Sequence, residues 1–140
     1  MSLLVPVLRA RDTARFSRIA PGGFRILAAF DGATKILGRD LELTSGTDSH
    51  SSGRHPLGEA YDLSVEGLTI AEIEKLKDYL VRTLGPRFTV LYEVPTTPSD
   101  PMEAALAYVN SRATGKHLHA QVKKSTVYPP LSGSGGTVHV

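Results

Sequence analysis

The pair His117-Leu118-His119 is the first place where this sequence could do chemistry. Side chains alternate faces along a strand, so both imidazoles point one way while Leu118 points the other. Such a pair can bind a metal together, or one ring can bind while the other contacts a substrate. An ordinary pair of surface or core histidines is the competing reading. A second group lies upstream, in His55-Pro56-Leu57-Gly58-Glu59-Ala60-Tyr61-Asp62. Asp62 falls inside an alternating run, where a carboxylate is unfavourable for β structure and costly if buried without a partner. A metal removes that cost. Gly58 admits a backbone conformation or close approach that other residues resist, and the small Ala60 leaves room beside Asp62 on the same face. Alternatively, Asp62 caps a turn or accepts a hydrogen bond from Arg54. Together the two groups offer three ligands from two strands and a loop, the number that catalytic zinc commonly takes while keeping one position open. Two neutral imidazoles and one carboxylate leave such a metal positively charged, able to acidify water and polarise a carbonyl. The chain has no cysteine, so every ligand must be His, Asp or Glu, and disulfides and thiolate sites are excluded.

Several elements must position these residues. The β-branched and apolar residues Leu41, Leu43 and Thr44 predict a short strand entering the Ser/Gly/His-rich loop 45–58, and the alternation over 60–65 predicts the strand that carries Asp62. The clearest helix is 69–84: Thr69 and Glu72 form a capping-box pattern, Ile70, Ile73, Leu76, Leu80 and Leu84 make an apolar stripe, and Gly85-Pro86 ends it. A strand follows over 87–93, ending at Glu93. Pro95 to Pro101 is turn-rich. A second helix is expected over 101–112, capped by Asp100, with Met102, Ala105, Leu106 and Val109 on one side, and a last strand over 116–122. Residues 1–23 read as a terminal arm with a short helix near 11–18, closed by a break at Pro21-Gly22-Gly23. Residues 24–37 are partly helical in spacing, with Asp31-Gly32 as an interruption. The Gly/Ser-rich stretch 129–140 reads as a flexible tail, leaving one domain over 24–128. The expected fold class is α+β, a small antiparallel sheet with flanking helices.

At 140 residues the chain can bury a core without help from a metal. Its net charge of +2 is spread out, with no basic run and no aromatic interleaving, which argues against a nucleic-acid partner. No stretch reaches the roughly 18 apolar residues of a membrane span. Met1 to Val7 is apolar but lacks a preceding charged region, so a secretory signal is not expected.

The pattern His55-x-x-Gly58-x-Ala60-x-Asp62, followed by His117-x-His119, resembles the two motifs of the zinc D-Ala-D-Ala peptidases. Val90-Leu91-Tyr92-Glu93 and the run His117 to Lys123 are similar to strands of the hedgehog signalling domain, which shares that fold, and Thr44 to Asp48 resembles the loop entry of small phage and bacterial members. The resemblance covers about residues 40–123. It implies a hedgehog/DD-peptidase fold and a Zn2+ ion held by His55, Asp62 and His119. Glu93 would be the general base and His117 a hydrogen-bond donor to the substrate or its developing oxyanion. It also implies that His50 matches an upstream histidine of some relatives; Ser52 and Arg54, in the same loop, are further candidate substrate contacts. Relatives place the base only a few residues before His-x-His, so the match at Glu93 requires 94–115 to loop out as an insertion. Otherwise Glu103 is the nearest alternative base.

The implied function is a zinc metallopeptidase that hydrolyses peptidoglycan stem peptides in the bacterial cell wall, as a D,D-carboxypeptidase or as an endopeptidase of endolysin type. Without a secretory signal, such a protein would reach the wall from the bacterial cytoplasm on lysis, or in a phage particle. A second reading is a zinc-stabilised binding or virion module without turnover. A third is a plain α+β domain whose histidines bind nothing.

Overall fold

The computed structural model describes residues 5–14, 16, 19–45 and 57–123. In chain order the elements are β1 (Leu8–Ala10), α1 (Pro21–Leu37), β2 (Leu41–Ser45), β3 (Ala60–Ser64), α2 (Ile70–Leu84), β4 (Phe88–Val94), α3 (Pro101–Leu106), β5 (Ala107–Val109) and β6 (His117–Val122). The six strands form one sheet in the order β1-β2-β3-β6-β4-β5. The four inner strands pair antiparallel, while each edge strand lies parallel to its neighbour. The fold is α+β, but the sheet is mixed rather than purely antiparallel. The reason is connectivity: β1 reaches β2 through α1, and β4 reaches β5 through α3, and a helical crossover returns the chain in the same direction.

Alternation divides the sheet into two unlike faces. Tyr61 and Leu63, Phe88, Val90, Tyr92 and Val94, and Leu118, Ala120 and Val122 are buried against Ile26, Phe30 and Ala33 of α1 and Ile73, Leu76 and Leu80 of α2. The intervening residues of β3, β4 and β6 therefore point to the opposite face. That set contains Asp62, Glu93, His117 and His119. Among the described residues, no helix is long and apolar enough to cross a membrane.

The helix α2 forms as its sequence predicts. Thr69 Oγ1 accepts from the Glu72 N–H at 3.1 Å and Glu72 Oε1 accepts from the Thr69 N–H at 2.9 Å. Elsewhere the chain departs from expectation. The arm is not separate: Leu8–Ala10 is an edge strand, and the chain is tied to β2 by Arg11 N–H to Leu43 O, by Arg9 to Asp40 at 3.0 Å and by Arg11 to Glu42 at 2.8 Å. Asp12 and Thr13 form a turn, so the described part of 11–18 contains no helix.

Pro21-Gly22-Gly23 opens a helix instead of breaking the chain. Proline at the first helical position gives up an N–H that has no partner there in any case. Gly23 is needed for packing: a Cβ on it would stand 2.1 Å from the carbonyl oxygen of Gly58. Asp31-Gly32 does not interrupt α1, which continues over Tyr79 of α2. The helix expected over 101–112 stops at Leu106; Asp100 caps it as expected, but Ala107–Val109 becomes β5 because the exposed edge of β4 offers backbone partners.

Candidate metal centre

Strand β6 lies between β3 and β4, and its register brings four ionisable side chains together. Asp62 pairs with His119 across β3–β6, and Glu93 pairs with His117 across β4–β6. Each imidazole of the central strand thus has a carboxylate beside it on a different neighbouring strand. His117 Nε2 lies 2.7 Å from Glu93 Oε1 and 3.5 Å from Asp62 Oδ1. His119 Nδ1 lies 2.8 Å from Asp62 Oδ1 and 3.9 Å from Glu93 Oε1. Nitrogen and oxygen alternate around this circuit, and the four atoms lie within 4.8 Å of one another.

The site is buried: Asp62 is 4% exposed, His119 3% and Glu93 7%. Burial alone would disfavour every charged form. For both histidines burial pushes the pKa down, but the bond from His117 to Glu93, the bond from His119 to Asp62 and the nearby carboxylate charges overcome it and raise both above the usual imidazole value. For Glu93 burial pushes upward, yet the His117 bond, the His119 charge and the Asn110 amide hold its carboxyl below the usual range. In the absence of a metal these contacts thus favour the protonated rings and the ionised Glu93 over what burial alone would allow.

The same arrangement fits a metal ion. Ligand atoms about 2.0–2.2 Å from a tetrahedral ion stand roughly 3.3–3.6 Å apart, within the spread of the four distances above. The donors are imidazole nitrogen and carboxylate oxygen, with two negative charges to offset a dication. Gln121 presents its carbonyl oxygen to His119 Nε2 at 2.8 Å. Nε2 then carries a proton, which leaves Nδ1 facing Asp62 either as a second N–H or as a lone pair that shares an ion with the carboxylate. The buried cluster of Asp62, Glu93, His117 and His119 could thus hold a metal ion.

Two cavities flank the group. One, of about 640 Å³, is bordered by Thr44, Ser45, Asp62, Ser64, Lys116 and His117. The other, of about 500 Å³, is bordered by Glu93, Asn110, His119 and Gln121. Arg112 borders both. The cluster is therefore reachable from two sides of the sheet face that the helices leave uncovered.

Of the residues singled out in the sequence, Asp62, Glu93, His117 and His119 meet. His55, His50, Ser52 and Arg54 lie outside the described residues. Val94 ends β4, residues 95–116 between β4 and β6 contain α3 and the sheet strand β5, and Glu93 lies at the cluster. Glu103, the alternative base, is engaged elsewhere: its Oε2 accepts from the Tyr92 hydroxyl and from Lys116 Nζ, each at 2.7 Å, and Tyr92 points to the helix-covered face. Sequence reading missed Gln121 and Asn110. Gln121 was open to inference, since alternation places it on the face of His117 and His119. Asn110 carries no such signal, because its place depends on how the loop returns. No protein-family model, curated protein or solved structure matches this chain.

Proposed function

We propose that this chain is a zinc-dependent peptidase of hedgehog/DD-peptidase type that hydrolyses peptidoglycan stem peptides, as a D,D-carboxypeptidase or an endopeptidase. The observation that carries this reading is the meeting of Asp62, Glu93, His117 and His119 from three strands on one sheet face between two cavities. Asp62 and His119 would hold the zinc together with His55. Zinc there supplies a Lewis acid that polarises a peptide carbonyl and makes water acidic enough to ionise near neutral pH. Glu93 Oε1 takes a proton from the attacking water and returns it to the leaving amine. On substrate binding the Nε2–H of His117 would leave Glu93 Oε1, which it faces at 2.7 Å, and donate to the carbonyl oxygen as negative charge develops there, freeing Oε1 for the water. The deep burial of the group keeps bulk water from screening these interactions.

The test is incubation of the zinc-loaded protein with purified peptidoglycan and mass analysis of the released peptides. Wild type should release stem-peptide fragments and Glu93→Gln should release them at least about 100-fold more slowly. Equal release by both, or none by the wild type, rejects the peptidase.

One observation favours a second reading, a zinc-stabilised binding or virion module without turnover. Both oxygens of Glu93 are already engaged, Oε1 with His117 and Oε2 with Asn110 at 3.2 Å. A purely structural carboxylate would look the same. Stoichiometric zinc and tight binding to cell walls without any product would support this alternative.

A further inference from the structure

Asn110 stands where β5 leaves the sheet, and every hydrogen-bonding group it has is engaged. Its backbone N–H donates to Val94 O at 2.8 Å, and its carbonyl oxygen accepts from the Ala113 N–H at 2.9 Å. Its side-chain Oδ1 accepts from the Arg112 N–H at 3.0 Å, and its Nδ2 donates to Glu93 Oε2 at 3.2 Å. This network decides which way the amide points. A backbone N–H can only donate, so the atom facing Arg112 must be oxygen. The atom facing Glu93 is therefore the NH₂ group, a donor to a carboxylate. The parallel pairing of β4 with β5 brings Asn110 to this point, with Glu93 opposite Tyr108 and Val94 opposite Val109.

We propose that Asn110 is a positioning residue: its side-chain amide holds Glu93 Oε2 so that Oε1 is turned toward His117 and the cluster. This rests on the reading of Glu93 as the general base. A carboxylate held at one oxygen only can rotate about its terminal bond. Held at both, it keeps one lone pair aimed at the place where water must lose its proton, and this kind of alignment separates a competent base from a nearby one. The segment 95–116 then has a purpose in the site. It brings back to the sheet a side chain that holds Glu93 from the side opposite β6.

Asn110→Asp separates orientation from folding. An aspartate keeps an oxygen for the Arg112 N–H, so the turn stays closed, but it turns the atom facing Glu93 from a donor into an acceptor. The expected result on a peptidoglycan peptide is a fall in kcat of about 10–100-fold, the usual size of a lost supporting bond, with KM within about twofold. Zinc affinity by chelator competition should match wild type, while the zinc-free protein should melt at lower temperature because the new carboxylate faces Glu93. In a Glu93→Gln background the substitution should add nothing further. An unchanged kcat, loss of zinc, or full additivity with Glu93→Gln would overturn the proposal. A separate readout needs no turnover: the Asn110 side-chain amide protons should exchange slowly with solvent in wild type and faster in Glu93→Ala. Equal exchange in both proteins refutes the contact itself, while absence of wild-type hydrolysis refutes the base reading on which the positioning role depends.

Discussion

Asp62 and His119 occupy directly paired positions on adjacent antiparallel strands, and their side chains close the pair with Nδ1 2.8 Å from Oδ1 in a nearly solvent-free site. A pair this buried is asymmetric in its energetics. Forming it contributes little net stability, because both ions lose their hydration, but removing one member strands the other. Asp62→Ala should therefore destabilise the metal-free protein by about 3–5 kcal/mol, read from urea melts. It should also weaken zinc binding more than about 100-fold in chelator competition, since a direct ligand is lost. A variant that melts like wild type would show that the pair is not closed in solution.

His117 and His119 lie on the same face but have separate roles in the proposed mechanism, and single substitutions tell them apart. His117→Ala should keep one zinc per chain and lower kcat/KM by about 10²–10³-fold, the effect of losing an oxyanion donor. His119→Ala should lose the zinc. Metal content by mass spectrometry, measured beside rates, decides between them. Loss of zinc in both variants would make His117 a ligand rather than a donor to the substrate.

The ring and acid shifts set a pH signature for the metal-free protein. Both histidines have raised values when folded, so their contribution to stability is complete below the unfolded value of about 6.5 and is lost as pH rises through the higher folded values. Glu93 has a lowered value, so its contribution is present above about 4.3 and is lost as pH falls through the folded value. The zinc-free protein should therefore be most stable between about pH 4.5 and 6.5 and should melt at lower temperature at pH 8 than at pH 6. Zinc opposes the trend, because it competes with protons for the ring of His119, so the rise in melting temperature on adding zinc should be larger at pH 8. Calorimetry with and without chelator checks both statements. A zinc-free melting temperature that climbs from pH 6 to pH 8 would contradict the raised histidine values.

Two glycines of α1 should respond differently to the same change. In Gly23→Ala the new Cβ meets backbone, the Gly58 oxygen at 2.1 Å, and Gly58 sits at φ 73°, a conformation that fixes the turn before β3. The expected loss is about 2–3 kcal/mol. In Gly32→Ala the Cβ meets the far end of a tyrosine, the hydroxyl of Tyr79, which can swing aside. The better helix propensity of alanine offsets that movement, so the net change should stay within about 1 kcal/mol. Denaturant midpoints of the two variants provide the comparison. Equal losses would mean that α1 does not rest on the Gly58 carbonyl.

The parts of the site that were legible in the sequence are those set by local rules. Alternation along β3 and β6 orients Asp62, His117 and His119, and the Thr69–Glu72 capping box together with the apolar stripe from Ile70 to Leu84 defines α2. The parts that were not legible depend on contacts distant in sequence. Gly23 and Gly32 look like helix breakers until Gly58 and Tyr79 are seen packed against them. Val109 continues the helical spacing of Met102, Ala105 and Leu106, yet the edge of β4 takes residues 107–109 into the sheet. The insertion of the last described strand between β3 and β4 leaves no trace in local pattern, and neither does the return of Asn110 to Glu93.

That insertion also sets an order of assembly. During synthesis β1, β2 and β3 leave the ribosome first, then β4 and β5, and only β6 joins the two half-sheets. Until His117–Val122 arrives, no strand pairs with both β3 and β4, so Asp62 and Glu93 lack the imidazoles that face them in the finished sheet. The group that could hold an ion is thus completed by the same strand that closes the sheet.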